Sequence, residues 1–427
     1  MNQVARLIIG RDDGNLEKRN IVWNMIGSFL YAFASMVLSI AVVQIAGEDA
    51  GGVFTFGFST LGQHMFTIAY FGIRPFHITD TGNQYTFGEY LGLRWFTCAA
   101  ALLVGMGFVA VNGYSFDKAM SVIFLVAYKV VDGLADAYEA EFQRNGKLYL
   151  TGKSNAFRTI LSVGVFLTVL GMTDRLMIAC GAAVVAQLVG FLTCDALVIY
   201  ELPTVDWTIR SGKRVRLLKD NTLLFLSVVI DFYIFSASKY AIEACMTDGD
   251  MAVFGAIFMP TSVINLVAGF VIRPFLTKMS LCWELNDMKR FVKSIEILAG
   301  VISALTVLAL GCAWFLGIPV LSILYSNLSY ALADCRPAFV LIILGGALNA
   351  FMSLFYYAMV IMKMQKYIFG VYGVVGVIAV LISNPFVEWS GIFGGALAYV
   401  ILTAALMVFF GAFVFWGVIR RMRKIQE

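Results

Sequence analysis

Apolar residues along this chain fall in long runs separated by short polar stretches, and each run is about 20 residues long, enough for a helix to cross a ~30 Å hydrocarbon core. The pattern predicts twelve spans, at 21–46, 50–73, 90–112, 117–140, 155–172, 175–200, 220–245, 250–272, 291–316, 335–361, 366–386 and 391–418. The tract IPVLSILYSNLS before the tenth span is too short to cross and reads as an outer-surface loop or half-helix. The first span is too long for the apolar region of a signal peptide, and no small-residue cleavage site is evident, so it reads as the first transmembrane helix. Composition agrees: 60% of the residues are hydrophobic, 14% are charged and the mean hydropathy is +0.84, whereas soluble domains carry about 25% charged residues. The fold class is all-α and polytopic.

Lys and Arg gather on alternate loops, as expected for cytoplasmic loops, which carry the excess of both. One side holds Arg6, Arg11, Lys18 and Arg19, then Arg74, then Arg144, Lys147, Lys153 and Arg158. The same side continues with the basic run from Arg210 to Lys219, then Arg273, Lys278, Lys289, Arg290 and Lys293, then Lys363 and Lys366, and the tail from Arg420. The opposite loops hold Lys118, Arg175 and Arg336 beside acids such as Asp49, Asp174 and Asp248. Both termini are expected in the cytoplasm. The net charge of +4 reflects this asymmetry and gives no reason to invoke nucleic acid.

A repeat emerges from the span ends. Val53-Phe54 aligns with Val253-Phe254 at an offset of 200, and Ile73-Arg74-Pro75-Phe76 with Ile272-Arg273-Pro274-Phe275 at 199. The second and eighth spans read as copies of one unit. The expected organisation is a six-helix lobe at 1–200, a basic cytoplasmic linker at 201–219 and a second six-helix lobe at 220–427. An even number of spans per lobe makes these parallel repeats, related by an axis along the membrane normal. Each Arg-Pro has two readings. It is a helix stop with a snorkelling arginine, or the two arginines flank a cytoplasmic mouth and attract an anion through their forked donors.

Charges deep in a span are costly unless they face a cavity or a partner. In the fourth span Lys129, Asp132, Asp136, Glu139 and Gln143 fall on one stripe about 80° wide at ~100° per residue. A Lys129–Asp132 pair that braces the bundle is one reading; a water-filled cavity lined by the whole stripe accounts for all three acids. Asp136 has no cationic partner within its own helix, and an unpaired carboxylate there is the group expected to exchange a proton during a transport cycle. The seventh span adds Asp231, Lys239 and Glu243. His64 in the second span reads as a packed polar residue or a proton relay, and Pro260 in the eighth as a static kink or a hinge.

Other chemistries find little support. The seven cysteines are scattered without a CxxC and there are two histidines, which indicates neither a disulfide framework nor a metal site. GKLYLTGKS, Gly146 to Ser154, has five residues between its glycines where a phosphate-binding loop needs four, and no strand precedes it. DGLADAY resembles a loop motif of major-facilitator transporters but stands at the end of the fourth span and lacks that motif's basic tail. Loops of at most roughly 30 residues leave no room for a soluble catalytic domain, so no enzyme activity and no cofactor is expected.

The second half resembles the bacterial polysaccharide transporters of the multidrug/oligosaccharidyl-lipid/polysaccharide flippase superfamily. The marks are Gly317-Ile318-Pro319-Val320-Leu321, Leu344-Gly345-Gly346 with Asn349, Tyr356-Tyr357, Lys363-Met364-Gln365-Lys366, and Gly395-Ala396 with Ala398-Tyr399. In the first half EFQRNGKLYLTGKSNAFR is similar to the equivalent segment of that family. The resemblance implies twelve helices in two lobes around a central cavity, alternating access, and export of undecaprenyl-diphosphate-linked sugar repeat units across a bacterial cytoplasmic membrane. Physical chemistry points the same way, because a sugar-diphosphate head cannot cross hydrocarbon unshielded. The cations expected to shield it are Arg74, Arg94, Lys129, Lys239 and Arg273, with Asp132, Asp136 and Asp231 as sites for a coupling H⁺ or Na⁺. The expected partners are the lipid-linked oligosaccharide and membrane lipids. A monomer is expected, with glycan assembly enzymes as candidate associates. An ion-coupled drug or cation antiporter of the same superfamily is the alternative, and a membrane glycan polymerase or ligase a more distant one.

Overall fold

The computed structural model describes residues 8–10, 15–80, 82, 84–202, 205–210 and 212–426, and among the described residues it contains helices and no strand. Nine helical runs among them are long and apolar enough to cross a membrane. Two of the nine, Leu16–Thr79 and Gln365–Arg423, have 64 and 59 residues and room for two crossings each. Phe116–Arg144 is also long enough to cross, at 29 residues, but carries a row of charges. The helices thus accommodate the twelve expected crossings.

Glycine makes both breaks in the long runs. Gly47 interrupts Leu16–Phe54 at φ 88°, a conformation that costs glycine little and other residues much. Ser390 and Gly391 interrupt Gln365–Gln426, with Gly391 at φ 55°. Both breaks fall in the short gaps that the hydropathy pattern leaves between spans. IPVLSILYSNLS forms the half-helix Ile318–Leu324 and a tight turn at Ser326–Leu328.

The chain divides into two compact units, Met1–Val229 and Ile230–Glu427, and the boundary lies inside the helix Lys213–Cys245. Within the first unit the segment after the sixth span is strapped to the start of the third. Arg210 donates its backbone N–H and its Nε to Glu89 Oε1, both at 3.0 Å, and Nη2 to Oε2 at 3.0 Å. Gly88 N–H donates to Asp206 O at 3.1 Å, and Trp207 meets the Phe87 ring edge-on at 4.9 Å. Glu89 also closes a capping box with Thr86 at the helix N-terminus, so one buried carboxylate caps the helix and anchors the strap.

The two Arg-Pro pairs depart from the expected helix stops. The second-span helix ends at Tyr70, where Phe71 and Gly72 turn left-handed at φ 52° and 64°, and Arg74-Pro75 starts a short helix, Arg74–Thr79. Arg273-Pro274 lies inside the continuous helix Pro260–Glu284. Proline removes one N–H, and a membrane helix absorbs that loss when neighbouring groups satisfy the freed carbonyl. The two arginines also differ in surroundings: Arg74 pairs with Asp136 and Glu139, whereas Arg273 is exposed. Met259 before Pro260 keeps helical angles of φ −54° and ψ −40°, so the eighth span continues across Pro260 in helical geometry.

Small residues set the closest helix contacts, as membrane packing requires. A methyl group on Gly152 would collide with the backbone of Trp23 and Asn24, and one on Gly27 with the backbone of Gly152. The second glycine of GKLYLTG therefore serves contact between the first and fifth spans. Gly345 lies against the Tyr399 ring and Gly346 against Thr261 and Ile264, which gives the family-like Gly-Gly pair a packing role. Gly152→Val should force the first and fifth helices apart and destabilise the protein by about 1–3 kcal/mol. A lower thermal unfolding midpoint of detergent-solubilised protein checks this; an unchanged midpoint would show that the helices yield freely.

Candidate functional site

The stripe on Phe116–Arg144 faces four neighbouring helices and the segment after the second span, and each supplies a partner. Arg94 of the third span donates Nη2 to Asp136 Oδ2 at 2.9 Å and Nη1 to Ala69 O at 2.9 Å. Arg74 pairs with Asp136 as well, and reaches Glu139 at 3.4 Å and Gln143 at 3.3 Å. Asp136, expected to be unpaired, is therefore held by two guanidinium groups. Helical spacing within one span reveals only partners on that span, and both of these arrive from elsewhere.

Arg158 forms the other half of the network. It donates to Asp195 Oδ2 at 2.9 Å and Glu139 Oε1 at 3.0 Å, and lies 3.5 Å from Asp132 Oδ1. Ser154 donates to Asp195 Oδ1 at 2.6 Å. Arg158 is 3% exposed and Asp195 0%, so Arg158, counted among the basic residues of the cytoplasmic side, is buried in an ion-pair network. Asp195 had a visible signal, a lone acid in the apolar run FLTCDALVIY of the sixth span. Nothing in the sequence showed that Arg158 would reach it.

Asp132 and Lys129 do not form the direct pair that one-turn spacing suggested. Lys129 Nζ donates to the Tyr31 hydroxyl at 2.9 Å, and that hydroxyl donates to Asp132 Oδ2 at 3.1 Å. Gln187 Nε2 takes Asp132 Oδ1 at 2.5 Å. Tyr31 lies on the first span and Gln187 on the sixth, so this bridge assembles only when the helices pack. Four carboxylates (Asp132, Asp136, Glu139 and Asp195) face four cations (Arg74, Arg94, Arg158 and Lys129). The set is charge-neutral within itself, which is how buried ions become tolerable.

Lys129 is the cation of this set with no carboxylate directly on its ammonium. The charge sits 3.8 Å from the centre of the Phe58 ring and 5.2 Å from that of Tyr31, and the ring quadrupoles attract it. In the second unit Lys239 likewise rests on aromatic rings. It is 7% exposed, 4.1 Å from the Phe258 ring centre and 5.7 Å from Phe235. Phe58 and Phe258 differ by 200 in number, the offset of the repeat. The hydroxyls of Ser236, Ser238 and Tyr399 are buried in this unit without hydrogen-bond partners, and Tyr399 packs 4.8 Å from Phe258. Asp231, two turns before Lys239, hydrogen-bonds Tyr372.

No family model matches the chain, and no curated protein matches it in sequence. Solved structures do. An inward-facing multidrug resistance MATE family transporter of the MOP superfamily aligns at TM-score 0.66 and 11% identity, over 95% of this chain and 98% of that one. The lipid II flippase MurJ, in an inward closed conformation, aligns at 0.67 and 14%, over 91% and 86%. A MOP superfamily transporter from Pyrococcus furiosus aligns at 0.52 and 14%, over 99% and 98%. The chain has the MOP-superfamily transporter fold.

Among the described residues, Arg158→Met would take the only directly paired cation from Asp195 and Asp132 and one of two from Glu139, and should cost about 3–5 kcal/mol, the usual result of removing one partner from a buried ion pair. Asp195→Asn should cost less, because the single amide oxygen still accepts from Arg158 and the Ser154 hydroxyl can turn to accept from the new amide N–H. Folded protein extracted from membranes, quantified by gel filtration, checks both; equal yields for the two variants would contradict the central place of Arg158.

Proposed function

We propose that this chain flips undecaprenyl-diphosphate-linked oligosaccharide units across the bacterial cytoplasmic membrane by alternating access, with both termini in the cytoplasm. The observation that carries this reading is the pair of buried lysines, Lys129 and Lys239, one in each unit. Among the described residues no carboxylate forms a salt bridge with either ammonium, and each rests on a phenylalanine, Phe58 or Phe258, at the repeat offset of 200. An uncompensated buried cation is expensive, and a diphosphate supplies what it lacks. The MOP-superfamily fold supports transport, and the resemblance to polysaccharide transporters supports the lipid-linked glycan.

Roles follow from the geometry. Lys129 and Lys239 each offer a contact for the anionic head within their own unit. Arg74 and Arg94 hold Asp136, and Arg158 holds Asp132, Glu139 and Asp195, so that the fourth-span stripe presents Lys129 rigidly. Arg273, exposed and outside that network, attracts the anionic head at long range. Asp231, bound to a tyrosine and to no cation, takes over from Asp136 as the carboxylate through which H⁺ or Na⁺ coupling is assigned. The antiporter alternative needs free acids for a cationic substrate, and three arginines occupy the acids of the stripe.

Flipping of a fluorescent lipid-linked sugar diphosphate in proteoliposomes tests this reading. Lys129→Ala and Lys239→Ala should each lower the rate at least about tenfold, the effect of losing one charged hydrogen bond of ~1.4 kcal/mol or more. The arginine variants should recover part of it, and all four proteins should remain folded in the membrane. Wild-type flipping in the double alanine variant would reduce both lysines to bracing and remove the basis for a diphosphate substrate.

A further inference from the structure

The second unit contains a cleft of about 280 Å³ between the helices Pro260–Glu284, Met288–Cys312 and Arg336–Ile361. Val263 and Val267 form one wall, Leu305 and Leu308 the other, and Ala347 and Ala350 the floor. Val263 and Leu308 are exposed, so the cleft opens sideways. Its positions are the central turns of the membrane-length runs Asp248–Glu284, Met288–Leu324 and Arg336–Ile361, which places it at mid-membrane. No charged side chain lines it, and the Thr306 hydroxyl is turned back onto Ile302 O at 2.7 Å. Water gains no hydrogen bonds there, and only hydrocarbon fills the space without loss.

We infer that this groove holds part of the prenyl chain of the transported lipid while its head is inside the protein; the inference rests on the flippase reading above. At ~30 Å³ per methylene-sized group, the cleft accommodates about nine such groups, close to two prenyl units. Depth separates the transported lipid from a resident one. A phospholipid keeps its head at the surface, so only the end of a chain reaches mid-membrane. A lipid whose head travels through the protein begins its chain there. Polar groups stand at the same depth: Asn349 donates to Asn265 at 2.9 Å, joining the same two helices. Helical phase at ~100° per residue puts both amides about 130° round from the groove positions, on the reverse side of the seam where Gly346 brings the helices together. The seam thus offers amides on one side and an apolar groove on the other, a division suited to an amphiphile at mid-depth.

The test uses full-length protein in proteoliposomes with two photoreactive probes, a polyprenyl diphosphate with a diazirine in its chain and a straight-chain phosphatidylglycerol with the same group. The polyprenyl probe should label the peptide Met288–Cys312 at least fivefold more than the phosphatidylglycerol probe, and Ala350→Phe should remove most of that labelling. Ala350→Phe should also slow flipping of a long-chain lipid-linked sugar several-fold while leaving a short-chain analogue, too short to fill the groove, at the wild-type rate. Leu308→Trp at the exposed rim should act in the same direction if Ala350→Phe folds poorly. Equal labelling by both probes would assign the groove to bulk lipid and overturn the inference. Flipping of neither substrate by wild-type protein would overturn the flippase reading, while the labelling ratio would still decide what the groove holds.

Discussion

Neutralisation of the acids on one membrane helix is the constraint on which the first unit depends. Phe116–Arg144 carries Asp132, Asp136 and Glu139 along one face, and none is acceptable in hydrocarbon without a partner. The partners come from everywhere except that helix. Arg94 arrives from the third span, Arg158 from the fifth, Arg74 from the segment after the second, and Tyr31 and Gln187 from the first and sixth. Satisfying three carboxylates therefore fixes the relative depth and rotation of all six spans. The close Gly27–Gly152 contact lets the first and fifth helices approach along that shared face.

This neutrality divides structure from function. Arg74, Arg94 and Arg158 are consumed in bracing, so their charge is unavailable to a ligand. Lys129 and Lys239 are different: aromatic rings and, for Lys129, one tyrosine hydroxyl surround them, and no carboxylate quenches them directly. The two units solve the problem differently. In the first, Lys129 completes a set with four acids and is tied to Asp132 through Tyr31. In the second, Lys239 sits near partnerless buried hydroxyls, and its nearest acid toward the start of the helix, Asp231, is two turns away on Tyr372.

Apolar runs of membrane length, the gaps between them and the acid stripe of the fourth span were legible in the chain because each is set by residues close in sequence, and the recurrence of Val-Phe at an offset of 200 was legible by direct comparison. Hydrocarbon thickness fixes span length and helical period fixes the stripe, and neither requires knowledge of packing. Pairing was not legible. Asp136 looked free, Arg158 counted only toward the basic side and a direct Lys129–Asp132 pair was one of two readings, since an ion pair is a property of two helices and the sequence displays one at a time. The Arg-Pro repeat was equally deceptive: identical tripeptides start a short helix in one unit and lie inside a continuous helix in the other. Left-handed Phe71 and Gly72, not the proline, made that difference. Local periodicity determined the fold class, and only tertiary packing decided which charges pair with one another and which rest on aromatic rings.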